Sequence, residues 1–142
     1  MKLVASNSRL SVLKQRSDFL HILKNGQKLR PSPWLLVNFI GNSQGIMRCG
    51  WTLPRQVGPA VIRNRLKRWS RVYFRDRLKR GESLPPGLAE GMGVDINFVF
   101  RKADGEFYKK LSYERFADVA DKSWEQLERR LQKSESKSRP GQ

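Results

Sequence analysis

Between Gly58 and Arg80 the chain collects Arg63, Asn64, Arg65, Lys67, Arg68, Arg71 and Arg75 in one stretch, GPAVIRNRLKRWSRVYFRDRLKR. A guanidinium is a planar fork of donors that matches phosphate oxygens, lysine adds a point charge, and asparagine donates and accepts directed hydrogen bonds. A set of these types at close spacing is chemistry for holding a polyanion. The ordinary reading of a charge run is a solvated helix face, but such faces carry glutamates four residues from their cations. From Arg55 to Gly81 there are ten Lys/Arg and a single acid, Asp76. Uncompensated like charge costs stability by self-repulsion, so a polyanion surface is the better reading.

An amphipathic helix must present these groups. Gly58-Pro59 opens it, since a proline in the first turn gives up only an N–H that lacks a helical partner. At 100° per residue Ile62, Leu66, Trp69 and Tyr73 form an apolar stripe, and Arg63, Asn64, Lys67, Arg68, Arg71 and Arg75 lie opposite. Before this helix, residues 1–16 read as a basic, irregular arm bearing Arg9, Lys14 and Arg16. Ser17 then caps a short helix, with Asp18 in its first turn and Gly26 ending it in the left-handed conformation. Phe19, Leu20, Ile22 and Leu23 give that helix its apolar surface.

Pro31 and Pro33 stop helix and release a strand over Trp34 to Ile40, and Gly41 to Gly45 reads as the turn to a second strand, Ile46 to Leu53. The two are expected to pair antiparallel. Gln27 to Arg30 reads as a short edge strand, and Lys28, Arg30 and Arg48 extend positive charge onto the sheet. After the Gly/Pro-rich loop Gly81 to Gly93, alternation over Val94 to Phe100 predicts a half-buried strand. Arg101 to Leu111 reads as a polar loop. Ser112 caps a last helix with Phe116, Ala120, Trp124, Leu127 and Leu131 on its core stripe, and residues 133–142 as a polar tail. The organisation is a basic arm (1–16), one α/β domain (17–132) and a flexible tail (133–142).

The chain of 142 residues suits one core. Its net charge of +16 is unevenly placed: residues 1–81 hold eighteen Lys/Arg against Asp18 and Asp76, while residues 82–142 hold eleven of each sign. One cysteine, Cys49, excludes an internal disulfide, and with one histidine, His21, a protein-built zinc site is not expected. Cys49 reads as a buried apolar residue, and His21 as structural. A self-sufficient nuclease would need metal carboxylates and a general base, but Asp18 and Asp76 are isolated and the later acids alternate with bases. No apolar run approaches the length of a membrane span, and the first residues lack the apolar centre of a signal peptide, so a cytoplasmic protein is expected.

The pattern Arg63-Asn64-Arg65 followed by Leu66-Lys67-Arg68, after Gly58-Pro59-Ala60-Val61, resembles the signature helix of the bacterial ribonuclease P protein component. LKQRSDFLHILKNGQKL resembles that family's N-terminal segment, Gly50 to Val57 its strand leading to the helix, and LSYERF the start of its last helix. The resemblance covers Leu10 to Leu131. It implies an α+β fold, a single two-layer α/β sandwich of order α-β-β-β-α-β-α, with the basic helix in a left-handed crossover between parallel strands. It also implies a protein subunit of an endoribonuclease that binds the catalytic RNA and precursor tRNA, assisting removal of the 5′ leader. Catalysis and Mg2+ would belong mainly to the RNA, with no organic cofactor and no obligate protein partner. RNA contacts fall to Arg63, Asn64, Arg65, Lys67, Arg68, Arg71, Arg75 and Arg55, with Arg9, Lys14 and Arg16 of the arm. Arg65, to one side of the stripe, can reach either RNA or the sheet. The leader would run past Phe19, Leu23, Val37 and Arg48 between first helix and sheet, where a ring can stack on any base. Leu23 and Val37 stand where family members often carry aromatics, and Pro54-Arg55-Gln56 replaces a commoner Ser-Lys-Lys. The remaining alternative is a non-catalytic RNA-binding protein of ribosomal or chaperone type with the same fold.

Overall fold

The computed structural model of the chain describes residues 10–81, 85 and 88–138, with side chains as far as Lys133. Its strands are β1 (Ser11–Val12), β2 (Gln27–Leu29), β3 (Leu35–Asn42), β4 (Met47–Thr52) and β5 (Gly93–Phe100), in one sheet ordered β1-β4-β5-β3-β2. The helices are α1 (Arg16–Asn25), α2 (Ala60–Lys79), α3 (Phe107–Lys110) and α4 (Tyr113–Ser138). Edge strand β2 forms as expected, antiparallel to β3. β4 and β5 run parallel with α2 connecting them.

The expected β3–β4 hairpin is not formed. β5 inserts between the two strands, antiparallel to β3 and parallel to β4. The connection from β3 to β4 therefore crosses the start of β5, where the Val94 N–H donates to the Ile46 carbonyl at 3.1 Å. A Cβ on Gly93 would lie 2.1 Å from that oxygen, so the crossing requires glycine. A central place also explains why β5 is buried on both faces and not half-buried as its alternation suggested. Its odd-numbered polar residues are satisfied internally: Asp95 accepts from Arg48 and Asn42, and Asn97 bonds Thr52.

α2 and α4 cover one face and build the core. Phe98 of β5 meets Phe74 at 4.7 Å between ring centroids, Tyr73 at 6.0 Å and Phe116 at 6.1 Å. The α2 stripe is wider than expected, since Ser70, Phe74 and Arg77 are buried with Ile62, Leu66 and Tyr73, while Trp69 is half-buried. On α4 the Ser112 hydroxyl accepts from the Arg115 N–H at 3.2 Å, and Phe116, Ala120, Trp124 and Leu127 are buried. That helix continues through the expected tail to Ser138.

Four further local expectations give way. Ser11–Val12 of the arm is ordered as β1, parallel to β4, with Leu13 buried behind it. The cap position of α1 is Gln15, two residues earlier than the expected Ser17, and Asp18 reaches the sheet at Arg48. Gly26 is extended (φ −81°, ψ 172°) because the chain passes directly into β2. Glycine is still needed there, since a Cβ would lie 2.6 Å from the Ile22 oxygen and 2.7 Å from that of Phe39. Within the expected polar loop, α3 buries Tyr108, whose hydroxyl donates to the Arg101 carbonyl and lies 3.3 Å from that of Trp34. Trp34 itself packs in the core against Phe107 and Tyr108.

Candidate nucleic-acid interface

The solvent face of α2 is built by periodicity alone. With the apolar stripe seated on the sheet, Asn64, Lys67, Arg68, Arg71 and Arg75 project outward and are all exposed. Arg55, in the short turn Arg55–Val57 before the helix, and Lys14 and Arg16 beside β1 are exposed as well. Arg71 is braced from below, its guanidinium 5.3 Å from the centre of the Trp51 ring on β4. Arg63 is half-buried, and its Nε donates to the Gly58 carbonyl at 3.1 Å, which fixes the base of the helix. Arg9 lies outside the described residues.

Two cations of the same helix turn inward. Arg65 lies over Trp69 at 5.2 Å and donates through Nη2 to the Tyr108 carbonyl, while its buried Nε has no partner. It joins α2 to α3, as the reading toward the protein allowed. Arg77 is buried, 4.4 Å from the Trp124 ring centre, with Nη2 on Asp121 Oδ1 at 2.8 Å and Nε on the Tyr73 hydroxyl at 3.0 Å. Burial and the Asp121 hydrogen bond raise the Tyr73 phenol far above its ordinary pKa. Arg77 was not singled out by sequence, although its four-residue spacing from Tyr73 was the available signal.

On the opposite face of the sheet, α1 stands off and leaves a groove of about 230 Å³. Its wall is Phe19, Leu20 and Leu23 of α1, and its floor includes Leu36 and Asn38 of β3, Thr52 of β4 and Asn97 and Val99 of β5, with Lys28 at the β2 end. Phe19 is half-buried and sits so close to β4 that a Cβ at Gly50 would meet its ring at 2.8 Å. Leu23 is 55% exposed at the rim. Val37, placed in the groove by the family resemblance, is not there. It is 1% exposed and pairs with Phe98 and Leu29 on the α2 side, and the groove takes its neighbours Leu36 and Asn38. A one-residue shift along a strand changes the face. Asn38 is the residue the sequence concealed: it is buried, and its Oδ1 has no hydrogen-bond partner.

Arg48 also differs from its expected role. Its Nε donates to Asp95 Oδ1 at 2.8 Å and its Nη2 to Oδ2 at 2.6 Å, with Asp18 of α1 3.6 Å away. The Asp95 hydrogen bond is the main reason the Arg48 pKa is raised. The charge of Arg48 is thus spent on two carboxylates, and it positions α1 over the sheet. The same pairing occupies Asp18 and Asp95. Among the described residues no three His, Cys, Asp or Glu side chains gather as a metal site. Cys49, behind this pair, is buried as expected, and its thiol is pushed well up by burial and then by Asp95.

The protein thus carries a basic helix on one face of its sheet and a groove walled by Phe19 on the other. The Ribonuclease P family model matches residues 8–134. The chain belongs to the ribonuclease P protein family. It is 33% identical over 108 residues to the Ribonuclease P protein component of Thermotoga maritima, covering 76% of this chain and 84% of that protein. Against that of Dictyoglomus thermophilum it is 32% identical over 113 residues, 80% of this chain and 84% of that one. The solved RNase P protein from T. maritima superposes with a TM-score of 0.65 at 29% identity, covering 83% of this chain and 97% of the other. The α+β fold with one five-stranded sheet is therefore that of the family, and the chain is a protein component of a ribonuclease that processes tRNA.

Proposed function

We propose that this chain docks the catalytic RNA of ribonuclease P on the exposed face of α2, and guides the single-stranded 5′ leader of precursor tRNA through the α1 groove. The observation that carries the reading is the sorting of cations on one helix. Arg65 and Arg77 are consumed by the fold, while Lys67, Arg68, Arg71 and Arg75 stay in water with no ion pair among the described residues, and neutral Asn64 is exposed beside them. Holding that much like charge outward lowers stability unless an anionic partner neutralises it. Folded RNA supplies phosphates for the cations and a directed partner for Asn64.

In the groove, Phe19 offers a ring for base stacking and the Asn38 oxygen an acceptor for a base amino group. A leader held there fixes the register of the scissile phosphate relative to the RNA. The protein residues bind and orient; bond cleavage and the Mg2+ it uses belong to the RNA. No helix among the described residues is long and apolar enough to cross a membrane, and a cytoplasmic location fits both partners. Sequencing the RNA that copurifies with the protein tests the assignment. One abundant structured RNA together with precursor tRNA is expected, whereas ribosomal RNA as the main species would favour the ribosomal alternative.

A further inference from the structure

Residues 82–142 are electrically neutral in sum, but folding separates their charges. Arg129, Arg130 and Lys133 of α4 come together beside Lys28 and Arg30 at the β2 edge, lining a cleft of about 510 Å³ whose other lining residues are Leu29 and Gln126. No carboxylate lines it, all five cations are exposed, and among the described residues none has an ion-pair partner. Arg130 is held in place by Gln27, which accepts from its Nη1 at 3.0 Å. Lys28 lines both this cleft and the end of the α1 groove, so the two concavities meet at one side chain on an edge strand.

We infer that the β2–α4 cleft is a phosphodiester-binding site that continues the α1 groove, taking the distal part of a long 5′ leader after it crosses Lys28. This rests on the leader reading of the groove and extends it by naming where the strand goes next. The cleft offers charges without an aromatic ring, so it holds the backbone without regard to base, whereas Phe19 and Asn38 touch the bases nearer the cleavage site. Each phosphate neutralised in a single strand adds about 0.7 to the log–log salt slope.

The test uses the complex reconstituted with its catalytic RNA and precursor tRNAs with leaders of about 4 and about 16 nucleotides, the range single-strand grooves occupy. Affinity is measured against salt for the native chain and for Arg129→Gln with Lys133→Gln, which leaves the anchored Arg130 in place. The native complex is expected to bind the long leader more tightly, and the double variant to lose that preference, with the long-leader slope falling by about 1.4. An unchanged preference overturns the proposal. An equal loss for both leaders also overturns it, assigning the cleft to the catalytic RNA. Phe19→Ala separates the underlying reading: if neither leader then binds more weakly, the groove reading fails, whatever the cleft does.

Discussion

Arg65 and Lys67 are two residues apart on α2, and their surroundings give them different work. Arg65→Gln removes a cation–π contact and a hydrogen bond to the Tyr108 carbonyl, and is expected to cost about 2 kcal/mol in denaturant unfolding without changing the salt slope of RNA binding. Lys67→Gln should do the reverse, leaving stability within about 0.5 kcal/mol while lowering the slope by about 1. Buried phenols make a separate prediction. Burial pushes Tyr108 up to about 12 from an ordinary value near 10, and Tyr73 is raised further. A raised folded pKa stabilises below the unfolded value and is lost as pH climbs through the folded one. Stability should therefore fall between about pH 10 and about 12, and Tyr108→Phe should flatten that fall in pH-dependent unfolding. Cys49, kept as a buried thiol, should resist alkylation in the native chain and react on unfolding.

At the scale of elements, α2, α4 and the core stripe of α4 follow from helical periodicity, because each has one wet and one dry face. Strands β2 to β5 were legible as strands, but the order of β3, β4 and β5 in the sheet was not. Turn residues at Gly41 to Gly45 signal a reversal, and nothing local reveals that β5, some fifty residues later, will enter the gap. That long-range pairing also explains the misplaced Val37, since alternation gives two faces without saying which one α1 covers. β1 and α3 are too short to carry a periodic signal. The β3–β4 crossing is testable through Gly93→Ala, whose Cβ would collide with Ile46 backbone; a loss of about 3 kcal/mol, or a Tm drop of about 10 °C, is expected by thermal unfolding.

Across the whole molecule, charge is arranged in three places that one sheet separates. The α2 face carries cations that have no ion pair among the described residues, the α1 groove is held open by an Arg48 spent on Asp18 and Asp95, and the β2–α4 cleft collects charge from a segment that is neutral overall. The basic face could be read from sequence because its residues are contiguous. The groove floor and the cleft could not, because β2, β3, β4, β5 and α4 contribute one or a few residues each. If the α2 face and arm neutralise about six phosphates, RNA binding should show a log–log salt slope of about −5. The most direct test of that docking role is cleavage of precursor tRNA by the reconstituted complex carrying Asn64→Ala, Lys67→Ala and Arg68→Ala together. Cleavage should be nearly lost at low Mg2+ and largely recovered at high Mg2+, where free cations substitute for the missing side chains; full activity of the variant at low Mg2+ would contradict the account.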